Sequence, residues 1–307
     1  DDNGSGGNQS RNDLMWSADV IKVGLAGSIR DYVMTTHWDA TLRLEQIDYN
    51  GQPAGYVVDP QEVVNYVENH DNWTLFDNNA FKLPTATSRE DRARVQILGA
   101  AINSFSQGVS YFHAGIDTLR SKSLDRNSYD SGDWFNRIDW SYRDNGYAAG
   151  LPPQGDNGGN WSVMGPLLAN AGIKPTETET RWTRDAFRDL MKIRASSRLF
   201  RLRTADEIKQ RLTFRNTGSA QVAPVLAAHL DGNGYQGAGF REVLYFVNVD
   251  RIGQTLTIPE EAGKQYRLHP VHTAYDAADR RAAAATYDSA SGRFNLPPRT
   301  AVVFVVR

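Results

Sequence analysis

The strongest constraint on what this chain can fold into is a change of texture at Phe200. Beyond it, the segments Arg211–Arg215, Val222–Leu230, Glu242–Val249, Gln254–Ile258, Tyr266–Val271 and Ala301–Val306 are short, β-rich and separated by turns. Strand-sized runs at that spacing, over about a hundred residues, predict an antiparallel β-sandwich. Before Phe200 the pattern alternates instead. Val63–Val67 is a β-branched run, Ser88 and Asp91 mark a capped helix start, and Val95, Leu98, Ile102 and Phe105 share one helical face. Gly108 stops that helix, and Val109–Phe112 reads as the next strand. Strand, helix and strand with short connections make the parallel βαβ unit, so the fold class is α/β plus all-β.

The remaining segments are read the same way. From Ser17, apolar residues at Ile21, Leu25, Ile29, Tyr32 and Val33 form a helical stripe, followed by a loop through Asp48 to Pro60. Leu119–Leu168 is polar, aromatic and weakly periodic, the texture of a functional loop. Thr180 predicts a helix cap, with Ala186, Phe187, Leu190, Met191 and Arg194 on one side. The opening, Asp1 to Asn12, is polar and glycine-rich, with neither an initiator Met nor a signal pattern. It reads as an internal loop of a larger protein.

Composition removes several functions. The 34 basic and 36 acidic residues leave a net charge of −2 with no basic run, which argues against nucleic acid as a partner. No stretch approaches the roughly 20 apolar residues that span a bilayer. The absence of cysteine excludes disulfides, zinc–thiolate sites and thiol nucleophiles. Gly232–Gly237 matches G-x-G-x-x-G but precedes a strand rather than a helix, so it reads as a hairpin loop. Asp231, Asn233 and Glu242 half-resemble a calcium loop, yet Tyr235 and Gln236 stand where a ligand and the turn glycine belong. The tripeptides at Asn8, Asn72 and Asn160 match a glycosylation pattern too common to carry weight.

Two segments concentrate chemistry. Glu68-Asn69-His70-Asp71-Asn72-Trp73 gathers carboxylate, imidazole, amide and indole after a parallel strand, where barrel enzymes place their chemistry; the plain alternative is a surface turn. Neither a nucleophile elbow nor a two-histidine metal spacing accompanies it. From Arg120 to Arg137, charged and amide side chains interleave with Tyr129, Trp134 and Phe135. Sugars offer hydroxyl edges and apolar ring faces, which such a mixture matches. The alternative there is a surface loop with ordinary core aromatics.

At these residues the chain resembles a known family. Tyr66–Asn72 is similar to the fourth signature region of the α-amylase clan, glycoside hydrolase family 13. Lys22–Gly27, Asp48–Gly51 and Arg120–Ser123, running on to Gly132–Arg137, resemble the bacterial type I pullulanases and limit dextrinases. The likeness covers essentially the whole chain and is strongest from Val20 to Trp140. It implies the C-terminal portion of a (β/α)8 TIM barrel over residues 1–202, with strands 7 and 8 and their flanking helices, then a β-sandwich over 203–307. His70 and Asp71 would end strand seven, and Tyr111–Gly115 would close strand eight.

The resemblance further implies hydrolysis of α-1,6-glucosidic linkages in pullulan, limit dextrins and branched maltooligosaccharides, with retention. Retaining hydrolysis needs a nucleophile and an acid about 5–5.5 Å apart. By resemblance Asp71 is the third carboxylate, stabilising the transition state, with His70 beside it. Asp133 and Arg137 would grip glucose units, and Trp73, Trp134 and Phe135 would offer stacking surfaces. Regions resembling GFRFDLMG and GEGW, which carry nucleophile and acid, are absent from the sequence. The expected partner is therefore the N-terminal portion of the same enzyme, without which a partial barrel leaves bare strand edges and the chain is inactive. No cofactor is required; structural calcium occurs in the family, but no ligands are assigned here. The setting implied is secreted, cell-surface or periplasmic. The rival readings are a non-catalytic α-glucan-binding fragment and a clan member of different linkage preference.

Overall fold

The structure is a computed structural model that describes residues 10–307. Most of the polar opening, including Asn8 and Gln9 of the first sequon, lies outside the described residues. Its last part is helix rather than loop: Ser10 caps α1 (Arg11–Leu25) by accepting from Asp13 N–H at 3.2 Å, while Ser10 N–H donates to Asp13 Oδ2 at 2.7 Å. The chain divides into two compact units. One comprises residues 10–65, Ala101–Tyr111 and Asp189–Arg307; the other comprises Tyr66–Ala100 and Phe112–Arg188.

In the first unit α1 stops at Leu25, short of the predicted stripe. Gly27 follows with φ +68°, a left-handed position that ends helices, and a Cβ there would lie 3.2 Å from Gln107. Ile29 instead bridges Val57 in parallel, and Val33 opens a short strand, Val33–Thr35, paired with Thr41–Arg43. The inner face of α1 carries a buried charge pair: Lys22 Nζ donates to Asp19 Oδ1 at 3.2 Å and to Gln221 Oε1 at 3.0 Å. Asp19 Oδ2 accepts from His37 N–H at 2.7 Å, so both charges are satisfied. The predicted loop at Asp48–Pro60 contains a hairpin, because Asn50 and Gly51 are both left-handed (φ 54° and 82°), as a two-residue hairpin turn demands.

Val64–Asn65 pairs in parallel with Val109–Ser110, in the register Val64 to Val109. Between them the chain forms α2 (Leu75–Lys82) and α3 (Arg89–Phe105). The βαβ unit is therefore present, with strands shorter than the apolar runs predicted. Gly108, at φ +90°, makes the turn into the second strand; a Cβ there would come within 2.7 Å of Val63 Cγ1. Asp91 N–H donates to Ser88 Oγ at 3.1 Å, as the cap predicted. Of the predicted α3 face, Leu98 and Phe105 are buried but Val95 and Ile102 only half so, while Arg92, Gln96 and Asn103 are buried. The helix is enclosed on more than one side, which a single stripe cannot describe.

The sandwich holds a five-stranded antiparallel sheet in the order Arg267–Leu268, Thr300–Val306, Glu242–Asn248, Val225–Asp231, Leu212–Phe214. Its second sheet orders Gln254–Thr257, Arg293–Leu296, Thr286–Asp288. Side chains from both sheets meet in one core, where the Phe294 ring lies 4.9 Å from Phe246 and 5.3 Å from Phe304. All six predicted segments contain a strand. The hairpin Thr286–Leu296 was not anticipated: its strands are three and four residues long and follow an alanine run. Gly232–Phe240 is the connection between two antiparallel strands, as read.

The second unit contains α2, most of α3 and the long segment from Phe112. Leu119–Leu168 is largely irregular, but it includes the single turn α4 (Asp133–Asn136) and a helix, Trp161–Ala169. Leu119, Leu124, Tyr147, Met164 and Leu167 fold in over Phe76 and Ala80 of α2, which gives the loop its own core. The helix predicted from Thr180 runs Glu177–Ser196 instead; Thr176 makes the start, with its N–H and hydroxyl both on Glu179 Oε2 at 2.7 and 2.6 Å. Among the described residues no helix is long and apolar enough to cross a membrane.

In the sandwich-bearing unit, two buried histidines accept backbone hydrogen bonds: His272 Nε2 from Val303 N–H at 3.0 Å and His269 Nδ1 from Val271 N–H at 3.2 Å. Burial pushes His272 down to about 4 against the pull of Asp279 and Asp189, and burial together with His272 pushes His269 down to about 4. The unfolded chain then binds protons that the folded chain refuses, so stability is lost as pH falls from about 6.5 to about 4, on the order of 3 kcal/mol per histidine. The thermal midpoint should fall through that window, with Val303 amide exchange accelerating. In His272→Gln the fall should be shallower, from a lower starting stability.

Candidate active-site loops

His70, Asp71 and Asn72 form an open bend, with Asn72 at φ +60°. The side chains of His70 and Asp71 are 74% and 75% exposed, with Nε2 and Oδ1 3.6 Å apart. Beneath these exposed tips the backbone is anchored from several directions. Glu68 is buried; its Oε2 accepts from Leu75 N–H at the start of α2, and its Oε1 lies 3.6 Å from His113 Nδ1. Trp73 Nε1–H donates to Leu124 O at 2.9 Å, and Arg126 Nε donates to Asn72 Oδ1 at 3.3 Å. Lys122 Nζ donates to His70 O at 3.1 Å.

The segment supplying those donors is itself fixed to α2. Thr74 caps that helix by accepting from Asp77 N–H at 3.1 Å, and the Asp77 carboxylate turns inward. There it accepts from Ser121 Oγ and from Lys122 N–H, the latter at 2.7 Å. Burial raises Asp77 to about 6, opposed by its hydrogen bonds with Ser121 and Lys122. Burial lowers Lys122, opposed by the charges of Asp77 and Asp125; burial also lowers Arg120, opposed by Glu68 and Asp77.

The same segment grips α4. Arg120 Nη2 donates to Asn136 O at 2.6 Å, and Ser128 Oγ donates to Asn136 Oδ1 at 2.8 Å. On α4, Asp133 and Trp134 are exposed and Phe135 is half-buried. Trp134 is oriented by its Nε1–H bond to Ala149 O at 2.8 Å, and the Arg137 guanidinium lies 5.2 Å over its ring. Arg137 also pairs with Asp144 at 3.2 Å. Trp73 has another setting: half-buried, its ring packs on Phe81 at 4.9 Å and its N–H is engaged by Leu124. Thus α4 and its C-cap assemble Asp133, Trp134, Phe135 and Arg137, while His70, Asp71 and Trp73 share the other loop.

Glu68, Asp77, His113 and Lys122 were not singled out individually from sequence. The one usable signal was Thr74-x-x-Asp77, which has capping-box spacing. It foretells the cap but not the carboxylate's second engagement, 45 residues away in sequence.

Elsewhere, His229, Glu242 and Glu261 bring ligand atoms within 4.8 Å of one another. Lys264 Nζ contacts Glu242 and Glu261 at 2.5 and 2.6 Å, and Arg215 Nε contacts Glu261 at 2.6 Å. Two side-chain cations already hold these carboxylates, so the group makes a poor cage for calcium, which takes six to eight oxygens.

A family model described as α-1,6-glucosidases, pullulanase-type, C-terminal, matches residues 142–307. The chain belongs to the pullulanase-type α-1,6-glucosidase family. Chloroplastic pullulanase 1 of Arabidopsis thaliana is 37% identical across 97% of this chain and 32% of its own length. A pullulanase of Klebsiella pneumoniae is 36% identical across 91% of this chain and 26% of its own. The crystal structure of Klebsiella oxytoca PulA matches at TM-score 0.90 with 33% identity, over 97% of this chain and 28% of that one. A maltotriose complex of Klebsiella pneumoniae PulA matches at 0.91 with 34% identity, over 97% of this chain and 32% of that one. The pullulanase-type chain thus spans about a third or less of these relatives' length and corresponds to a C-terminal part of that kind of enzyme.

Asp77→Ala should cost about 3 kcal/mol or more, since it strands a buried hydroxyl and amide and removes bonds to a charged group. Denaturant unfolding with Asp77→Asn alongside checks this; the amide, keeping the shape and an acceptor, should cost less.

Proposed function

We propose that this chain supplies the C-terminal part of the catalytic barrel and the following sandwich of a starch-debranching glycosidase, which cleaves α-1,6 linkages with retention. The barrel part runs to residue 202 and the sandwich from 203. The observation that carries the reading is the pair of anchored, exposed loops, one with His70 and Asp71 and the other with Asp133, Trp134 and Arg137, in a chain of this family. Asp71 acts as the transition-state-stabilising carboxylate, with His70 beside it on the distorted sugar. Asp133 and Arg137 hold neighbouring glucose units, with Trp134 and Phe135 against ring faces; Trp73 shapes the site from its packed position. That a relative was crystallised with maltotriose supports an α-glucan as the ligand. The nucleophile and the acid come from the N-terminal portion of the enzyme, and the chemistry requires no cofactor.

A second observation supports that completion. Parallel sheets are ordinarily covered on both faces. Here Val64 and Val109, directly paired, are 53% and 48% exposed, and Tyr56 and Val58 are exposed in the same unit. We assign this apolar strand surface to packing against the N-terminal portion, as barrel strands seven and eight require.

Reducing-sugar release from pullulan tests the reading. Activity is expected only when the N-terminal portion is present. In that complete enzyme Asp71→Asn should lower kcat by about 10²–10³-fold or more while maltotriose binding changes little, because the contacts removed form in the transition state. Glucan binding with no hydrolysis in the complete enzyme would favour the non-catalytic reading, and cleavage of α-1,4 linkages alone would favour a different linkage preference.

A further inference from the structure

We propose that Lys122 is a positioning residue for Asp71, setting the direction of its carboxylate through the peptide that joins it to His70. The inference rests on the reading of Asp71 above. Lys122 is 1% exposed, yet its ammonium ends on a backbone carbonyl, that of His70, at 3.1 Å. Because the peptide group is planar, fixing the His70 carbonyl fixes the N–H and Cα of Asp71 on its other side. The root of the Asp71 side chain is thereby placed, and only rotation about its own N–Cα and side-chain bonds remains to orient the carboxylate.

Three features make this more than a packing contact. The bend has no interior of its own: His70, Asp71 and Asn72 are exposed, and Asn72 at φ +60° makes the left-handed turn that asparagine tolerates, so contacts from outside the bend are what place it. Lys122 is in turn immobilised, since its own N–H is bound by the buried Asp77 carboxylate at 2.7 Å and the preceding Ser121 hydroxyl by the same group. Finally, burying an ammonium is costly, and an apolar chain of similar length would fill the space without that cost. The donor, not the volume, is what the position supplies. Arg120, two residues earlier, reaches α4 through Asn136 O, so one short segment sets the register of both sugar-facing elements.

The test compares wild type, Lys122→Met, Lys122→Gln and Asp71→Asn in the complete enzyme that contains this chain. Lys122→Met keeps the stem and removes the donor. Its melting temperature should match or exceed that of wild type, while kcat on pullulan falls by about 30- to 100-fold, as an ångström of misplacement does. KM should stay within about threefold. Lys122→Gln retains a neutral donor on a shorter stem and should lose less kcat. If the Met variant fails to fold, Lys122→Leu, which also lacks a donor, decides in its place: reduced kcat with steady KM in the folded protein supports the proposal, and wild-type kcat overturns it. A kcat per folded enzyme within threefold of wild type in Lys122→Met, with Asp71→Asn inactive, would overturn the proposal and leave the function standing. A loss that only tracks a lowered melting temperature would overturn it too. An active Asp71→Asn would remove the reading of Asp71 and the proposal with it.

Discussion

One buried carboxylate organises the chemistry-bearing unit. Asp77 sits on α2 with no exposed surface and is satisfied by donors from Ser121 and Lys122. Left without donors there the carboxyl would be costly to ionise, so closing the segment that brings them onto α2 stabilises the unit. Once closed, it delivers Lys122, Leu124 and Arg126 to one loop and Arg120 and Ser128 to the other. The interaction that stabilises the unit is therefore also the one that holds its two candidate loops.

The other unit solves a similar problem differently. Its sandwich relies on aromatic packing around Phe294, but one end holds the charged group of Arg215, His229, Glu242, Glu261 and Lys264, with Tyr266 O–H donating to Glu261 at 2.8 Å. Each carboxylate there has a cation and further donors, the condition under which buried ions can be tolerated. Lys22 and Asp19 on α1, with His37 from the loop after Val33–Thr35, repeat the arrangement. In both places the charges are buried together with their partners.

Legibility from sequence followed the range of the interactions. Strands after Phe200 could be read because alternation is local, and only the Thr286–Leu296 hairpin, with few apolar residues of its own, escaped. The βαβ unit was readable for the same reason. Helix ends were missed where the stop depended on geometry, as at Gly27, or where a stronger cap lay upstream, as at Thr176. In the candidate loops, His70, Asp71, Asp133 and Arg137 were picked out by type and by family likeness, and the structure places all four at the surface. What lay behind them was not. Asp77 and Lys122 act through partners 45 and 52 residues away, and no local period encodes such a pairing.

The separation between exposed tips and buried anchors bears on how such a protein can diversify. Residues that would meet a ligand, such as His70, Asp71 and Trp134, project from the surface and contribute little to the core. The residues that hold them, such as Asp77 and Lys122, are buried and need no knowledge of what the tips bind. Substitutions at the tips can therefore be sampled at small expense to folding, while the frame beneath stays constant. A lineage built this way could retune recognition one side chain at a time, with ancestry preserved in the anchors rather than in the exposed tips.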